Sequence, residues 1–230
     1  MKHQSDILAL KYRPKDFSDL IGQEYLVDTI QKSIQLNKIP NAYIFTGIRG
    51  VGKTTTARIV AKMLNCTAFD NSNKPDLLNC EQAKAITEDR HPDVIEIDAA
   101  SNTSVENARE IIENVKYNPV LGKYKVYIID EVHMLSKSAF NALLKTLEEP
   151  PPHSKFIFAT TEISKVPITI LSRCQRFDLR RIDKKVLSLF LENIANKENI
   201  LIEKEALNLI VKSSDGSVRD ALSILDQANV

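Results

Sequence analysis

Apolar residues recur along the chain in two alternating rhythms. Between Gln23 and Asn37, Leu26, Ile30 and Ile34 fall four apart, which predicts an amphipathic helix. Pro40 and Asn41 break it, and Ala42-Tyr43-Ile44-Phe45-Thr46 then reads as a short buried strand. Gly47 to Gly52 is a turn, after which Lys53–Asn65 resumes helical spacing. Thr67–Asp76 is polar and aperiodic and is expected to be an inserted loop. Further strands are expected at Asp93–Asp98, Lys125–Asp130, Lys155–Thr161 and Arg176–Leu179. Between them, Thr103-Ser104-Val105-Glu106 fits a capping box opening a helix through Val115. Ser136–Glu149 is an amphipathic helix closed by Pro150-Pro151-Pro152.

Strands alternating with helices imply an α/β fold, a parallel sheet of five strands with helices on both faces. After Arg181 the rhythm is helical only, at Val186–Asn196, Lys204–Ser213 and Ser217–Ala228. The expected organisation is therefore an α/β domain over 1–180, carrying an insert at 66–92, and a small helical domain over 181–230. The sequence stops within an apparent helix that lacks a cap, so a longer protein is expected.

Charge narrows the partners. Lys and Arg total 31 against 30 Asp and Glu, so no global basic field exists to hold nucleic acid, and any such contact must be local. The apolar runs are short and interrupted by charge, which excludes a membrane span. No export signal opens the chain, so a cytoplasmic setting is expected. Cys66, Cys80 and Cys174 make no even disulfide framework.

Gly47-Ile48-Arg49-Gly50-Val51-Gly52-Lys53-Thr54 satisfies G-x-x-x-x-G-K-[ST] between a strand and a helix. In that setting, consecutive backbone N–H groups converge on phosphate oxygens at a helix N-terminus. Gly47, Gly50, Val51, Gly52 and Thr55 belong to this nucleotide-binding set. Lys53 would reach the β- and γ-phosphates, and Thr54 would hold Mg²⁺. The strand Val126–Ile129 ends in Asp130 and Glu131, at the edge where open α/β sheets bind ligands. Asp130 would position Mg²⁺ and Glu131 would orient the attacking water as base. His133 completes D-E-V-H, superficially a helicase pattern; a lone loop His is read as a polar surface group with no role. Thr160 and Thr161 end the next strand, where one hydroxyl is expected beside the γ-phosphate. Arg173 and Arg219 each fit two roles, structural ion pair or stabiliser of transition-state charge, and the residues alone do not choose.

These residues resemble an AAA+ ATPase, and closely the γ/τ clamp-loader subunits of bacterial DNA polymerase III. Tyr12–Phe17 and Ile21-Gly22-Gln23 are similar to the N-terminal box of clamp-loader ATPases. IIDEVHMLSKSAFNALLKTLEEPP over Ile128–Pro151 resembles the γ/τ sequence almost residue for residue, as do IDAAS (Ile97–Ser101), TILSRC (Thr169–Cys174) and GSVRDALSILDQ (Gly216–Gln227). The resemblance covers essentially the whole chain. It implies an AAA+ P-loop fold with a helical lid, followed in the longer protein by a collar domain absent here. It also implies ATP and Mg²⁺ as ligands, and ATP hydrolysis within a DNA-directed DNA polymerase holoenzyme. Implied partners are other subunits of a hetero-pentameric loader, a ring-shaped sliding clamp and primed DNA. Thr161, with Thr160 as fallback, takes the sensor-1 role, and Arg219 the sensor-2 role. Arg173 becomes a finger acting in trans on a neighbour's ATP, and Tyr12, Arg13 and Pro14 lie near the adenine.

One departure concerns zinc. The family carries an inserted zinc module with one Cys and then C-x-x-C-x-x-C; here only Cys66 and Cys80 stand at such positions, with Leu77 and Ala83 where further ligands would be. Structural zinc takes four ligands, so the metal is expected to be lost unless His91 or a carboxylate joins. Three other readings stay open at this point. Asn73-Lys74-Pro75-Asp76 matches the guanine-reading N-K-x-D of GTPases, though it precedes the acidic strand and follows no apolar one. A nucleotide-binding scaffold without turnover and an AAA+ ATPase of DNA repair or recombination are the others.

Overall fold

The computed structural model describes residues 7–68 and 76–229. Strands β1 (Ala42–Thr46), β2 (Val94–Asp98), β3 (Lys125–Asp130), β4 (Ser154–Thr160) and β5 (Gln175–Asp178) form one parallel sheet in the order β2-β3-β4-β1-β5. The strand that feeds the glycine-rich turn thus lies inside the sheet, between β4 and β5. Side chains alternate across it. Tyr43 and Phe45 pack with α2 (Glu24–Gln35), α3 (Lys53–Asn65) and α4 (Glu81–Thr87) on one face. Ala42 and Ile44 pack with α5 (Val105–Val115), α6 (Lys137–Glu148) and α7 (Ile168–Leu171) on the other. Both faces are covered, which is why the inner strands β1, β3 and β4 read as largely apolar runs.

Three helices, α8 (Lys184–Lys197), α9 (Lys204–Ser213) and α10 (Val218–Ala228), bury Leu187, Leu191, Ile210, Leu222 and Leu225 against one another. Leu8 of the short helix α1 (Leu8–Lys11) packs into the same cluster rather than against the sheet. Asp183 and Ser217 cap α8 and α10 by accepting N–H bonds from Lys185 and Asp220. Among the described residues, no helix is long and apolar enough to cross a membrane.

Some local expectations shift. The N-cap of α5 is Ser104, which accepts from Asn107 N–H, so the expected Thr103–Glu106 box moves by one residue. Within the insert, α4 is a helix that apolar spacing does not announce. The N-K-x-D segment falls largely outside the described residues.

The N-terminal edge of the sheet is fixed by buried polar groups. Asp93 is fully buried and accepts N–H bonds of 2.7 Å from Val120, Leu121 and Gly122. Asn65, at the end of α3, clasps the Tyr124 backbone in both directions, at 2.9 and 2.8 Å.

Candidate functional site

The turn between β1 and α3 requires glycine at two places. Gly52, the N-cap of α3, has φ 101°. Gly50 has φ 79°, and a Cβ there would sit 2.0 Å from Ser217 Oγ on the helical bundle. Only a residue without a Cβ allows both the left-handed turn and that close approach. The turn leaves the first N–H groups of α3 facing a cleft of about 430 Å³. The cleft is lined by Tyr12, Arg13, Pro14, Arg49, Gly50, Val51, Gly52, Lys53, Thr54, Thr55, Asp130, Glu131 and Arg219, among others. Gly47 stands at the root of the turn, behind the lining; a Cβ on it would meet the Leu179 carbonyl at 2.6 Å.

Lys53 is only 5% exposed. Its Nζ donates to the Gly47 and Ile48 carbonyls, each at 3.0 Å. Burial pulls its pKa below the ordinary lysine value, against the opposing pull of the Glu131 and Asp130 carboxylates. Thr54 Oγ1 donates to Asp130 Oδ2 at 2.6 Å, which brings the helix start and the acidic strand end into contact. A hydroxyl and a carboxylate so joined are hard oxygen donors, the kind that Mg²⁺ takes.

Glu131 Oε2 accepts from the Thr161 N–H at 3.1 Å and from the Thr161 hydroxyl at 2.9 Å. The Thr160 hydroxyl instead meets His133 Nδ1 at 2.9 Å and accepts the Glu162 N–H at 3.0 Å. The two threonines are therefore not equivalent: Thr161 touches the expected base and Thr160 sits one layer behind. His133 departs from the surface position expected of it, since its side chain is 6% exposed and lies 3.3 Å from Glu131 Oε2.

The helical bundle closes the cleft from the far side. Arg219 opens α10, its N–H 3.4 Å from the Gly50 carbonyl, and makes no ion pair among the described residues. Tyr12 turns its hydroxyl to Glu198 at the end of α8, and that bond is the main reason its pKa is pushed up to about 12. Arg13 Nε donates to Thr55 Oγ1 at 3.2 Å, and burial, then neighbouring Arg58, lowers its pKa. Sequence reasoning missed Arg58, which forks onto Glu96 of β2 at 2.5 and 2.8 Å. It also missed Glu198. Neither pair shows in local spacing, because the partners lie 38 and 186 residues apart.

Arg173 is not brought to this cleft. It follows α7, pairs with Glu148 of α6 and donates to the Thr169 carbonyl at 2.6 Å. Cys66 and Cys80 are buried; the Cys66 thiol donates to the Ala68 carbonyl at 3.1 Å, and burial, then the neighbouring Cys80 thiol, pushes its pKa up to about 12. Among the described residues, no three His, Cys, Asp or Glu side chains gather as metal ligands.

Comparison with known proteins agrees with this architecture. The family model described as DNA polymerase III, delta subunit, matches residues 22–183, and that described as DNA polymerase III clamp loader subunit, ATPase lid domain, matches 187–229. The DNA polymerase III subunit tau/gamma of Haemophilus influenzae is 50% identical over 222 residues, covering 96% of this chain and 32% of that protein. The DNA polymerase III subunit tau of Bacillus subtilis is 50% identical over 218 residues, covering 94% of this chain and 38% of that protein. The chain thus spans about a third of the length of these relatives. Among solved structures, a point variant of Thermotoga maritima RuvB superposes with a TM-score of 0.68 at 20% identity, covering 94% of this chain and 64% of that one. The same organism's RuvB, titled a Holliday junction branch migration motor, gives 0.67 at 20% identity over 94% and 64%. These two show the fold alone, that of an AAA+ module. By the first family match, and the lid match that continues it, the chain belongs to the DNA polymerase III, delta subunit family of clamp-loader modules, within which it is similar to tau and gamma subunits.

Proposed function

We propose that this chain is the ATP-binding and ATP-hydrolysing module of a replicative clamp-loader subunit. The observation that carries the reading is the convergence of Lys53, Thr54, Asp130, Glu131 and, from the helical lid, Arg219 on one cleft. The α3 N-terminus and Lys53 bind the phosphates of ATP. Thr54 and Asp130 hold Mg²⁺, which when bound screens the phosphate charge. Glu131 takes a proton from the attacking water, and Thr161, bonded to it, senses the γ-phosphate. Arg219 ties the lid to the phosphates, so nucleotide occupancy sets the angle of α8–α10. Tyr12, Arg13 and Pro14 flank the base.

Arg173 lies outside its own cleft and beside α6, which supports its acting on ATP held by a neighbouring subunit. Hydrolysis then needs an assembled interface, and the isolated module is slow. In the whole protein, ATP binding closes the subunits around the sliding clamp and primed DNA, and hydrolysis releases both. The zinc of related inserts is replaced by apolar packing around Cys66 and Cys80.

The test is ATP turnover by the full-length protein assembled with its partner subunits, with and without clamp and primed DNA. Stimulation by both together is the expected result. Turnover indifferent to the clamp assigns the chain to DNA repair or recombination instead, nucleotide binding without turnover makes it a scaffold, and preference for GTP over ATP removes the reading altogether. Mixing Arg173→Ala chains with Glu131→Gln chains should leave some interfaces active and others dead; full activity in an all-Arg173→Ala assembly refutes the trans role.

A further inference from the structure

The expected base is braced from behind by a side chain that the function above leaves unassigned. Glu131 has a left-handed backbone (φ 45°, ψ 45°), which a residue bearing a Cβ keeps only where its surroundings impose it. That conformation turns Val132–Met134 back beneath the sheet edge in a single 3-10 turn and carries His133 inward. Both edges of the imidazole then meet polar partners. Nδ1 faces the Thr160 hydroxyl at 2.9 Å and Glu131 Oε2 at 3.3 Å, while Nε2 faces Glu162 Oε1 at 3.4 Å. The Glu162 carboxylate is itself held by Lys165 at 2.9 Å. A carboxylate only accepts, so Nδ1, the ring nitrogen that faces Oε2, carries a proton, and the Thr160 hydroxyl oxygen shares it.

The ring cannot turn without losing partners on both edges, and in a buried setting such losses are costly. On the other side of the same Glu131 oxygen stand the N–H and hydroxyl of Thr161. Oε2 is therefore enclosed, and Oε1 is the oxygen with no donor among the described residues. We propose that His133 is a positioning residue for Glu131: braced between Thr160 and Glu162, the imidazole works with Thr161 to fix Oε2, so that Oε1 is presented to the attacking water. This rests on the ATP-hydrolysing reading above. It also gives a use to the last letter of the D-E-V-H run.

The test compares His133→Ala, His133→Asn and His133→Gln in the full-length protein assembled with its partner subunits. An Asn amide overlays the Nδ1 edge and a Gln amide the Nε2 edge. The expected result is a loss of kcat of about tenfold or more in His133→Ala, with a Kd for ATP within about twofold of the parent. His133→Asn should recover more of kcat than His133→Gln. Added to Glu131→Gln, His133→Ala should cost nothing further, as befits a residue acting through another. Parental kcat in His133→Ala, equal kcat in the Asn and Gln variants, or a Kd that worsens in step with kcat overturns the assignment. Should His133→Ala fail to fold, the Asn and Gln pair decides. If the parent assembly itself turns over no ATP, it is the ATPase reading that fails, a result distinct from an active parent whose His133 variants are equally active.

Discussion

The two ends of the sheet both bury charge, and they treat it differently. At the N-terminal end the buried Asp93, Lys125 and Lys155 are held by partners from other segments of the chain. Asp93 has three N–H donors, Lys125 donates to the Asn114 carbonyl and side chain at 2.9 and 2.7 Å, and Lys155 donates to the Asn41 side chain at 2.8 Å. At the C-terminal end the side chains of the buried Lys53 and the exposed Arg219 have no such partner from another segment among the described residues. Lys53 reaches only two carbonyls of its own turn, and Arg219 has no carboxylate at ion-pair distance among the described residues. Charge clasped across segments holds a fold together, whereas a cation that no distant segment clasps is held ready for a ligand. The sheet thus separates its stabilising electrostatics from its binding electrostatics by one strand length.

The sharpest way to break this contrast is to exchange the two kinds of loss. Lys53→Ala should weaken ATP binding by about a hundredfold or more, roughly 3 kcal/mol, while moving the thermal midpoint by no more than about 3 °C. Equilibrium dialysis and calorimetry on the same sample check both halves. Asp93→Ala should do the reverse. It removes the acceptor of three N–H groups and should cost about 3 kcal/mol in urea unfolding, with ATP affinity of the folded protein unchanged.

Acid sharpens the same point. Burial alone would raise the Asp93 carboxyl, but the N–H groups of Gly122, Leu121 and Val120, with His91, hold it below the ordinary carboxylate value. A folded pKa below the unfolded one means that its stabilisation is complete above about pH 4 and is lost as pH falls through the folded value. The stability gap between the parent and Asp93→Asn should therefore narrow below about pH 4, as read by unfolding across a pH series; a gap independent of pH would contradict it. Asn65→Ala, which opens the two-way clasp on Tyr124, should cost about 2 kcal/mol without altering turnover. Smallest of all, Ser217→Ala should cost about 1 kcal/mol through the lost cap of α10, a loss visible in hydrogen exchange of Val218–Ala221.

How much of this the amino-acid order announces depends on how local each cause is. The limits of α3 and α9 are legible to the residue, because glycine-rich or polar breaks meet strong apolar periodicity there. The phosphate turn and the acidic end of β3 are legible for the same reason, each being a few adjacent residues. Helix α4 is not: it spans seven residues, buries only Ala83 and Ile86, and owes its helicity to the surface it packs on. Asp93 gives no sign in its own neighbourhood, since its donors lie 27 to 29 residues away. His133 reads as a solvated loop residue until the left-handed backbone at Glu131 is known, and that conformation follows from the packing around it. Arg219 reaches the cleft only because the bundle docks on Gly50, a tertiary contact that spacing does not encode.

The placement of the first helix has a practical corollary. Leu8 and Tyr12 belong to the α8–α10 cluster, yet Arg13, the very next residue, is fastened to Thr55 on α3. The peptide joining Tyr12 to Arg13 is therefore a pivot, and any swing of the bundle tows the preceding turn of helix along like a pointer on a dial. Leu10, 47% exposed, moves with that pointer, and Tyr25, 81% exposed, stays on the frame. A pair of spin labels at these two positions makes a ruler for the motion while leaving every phosphate-facing side chain as it is.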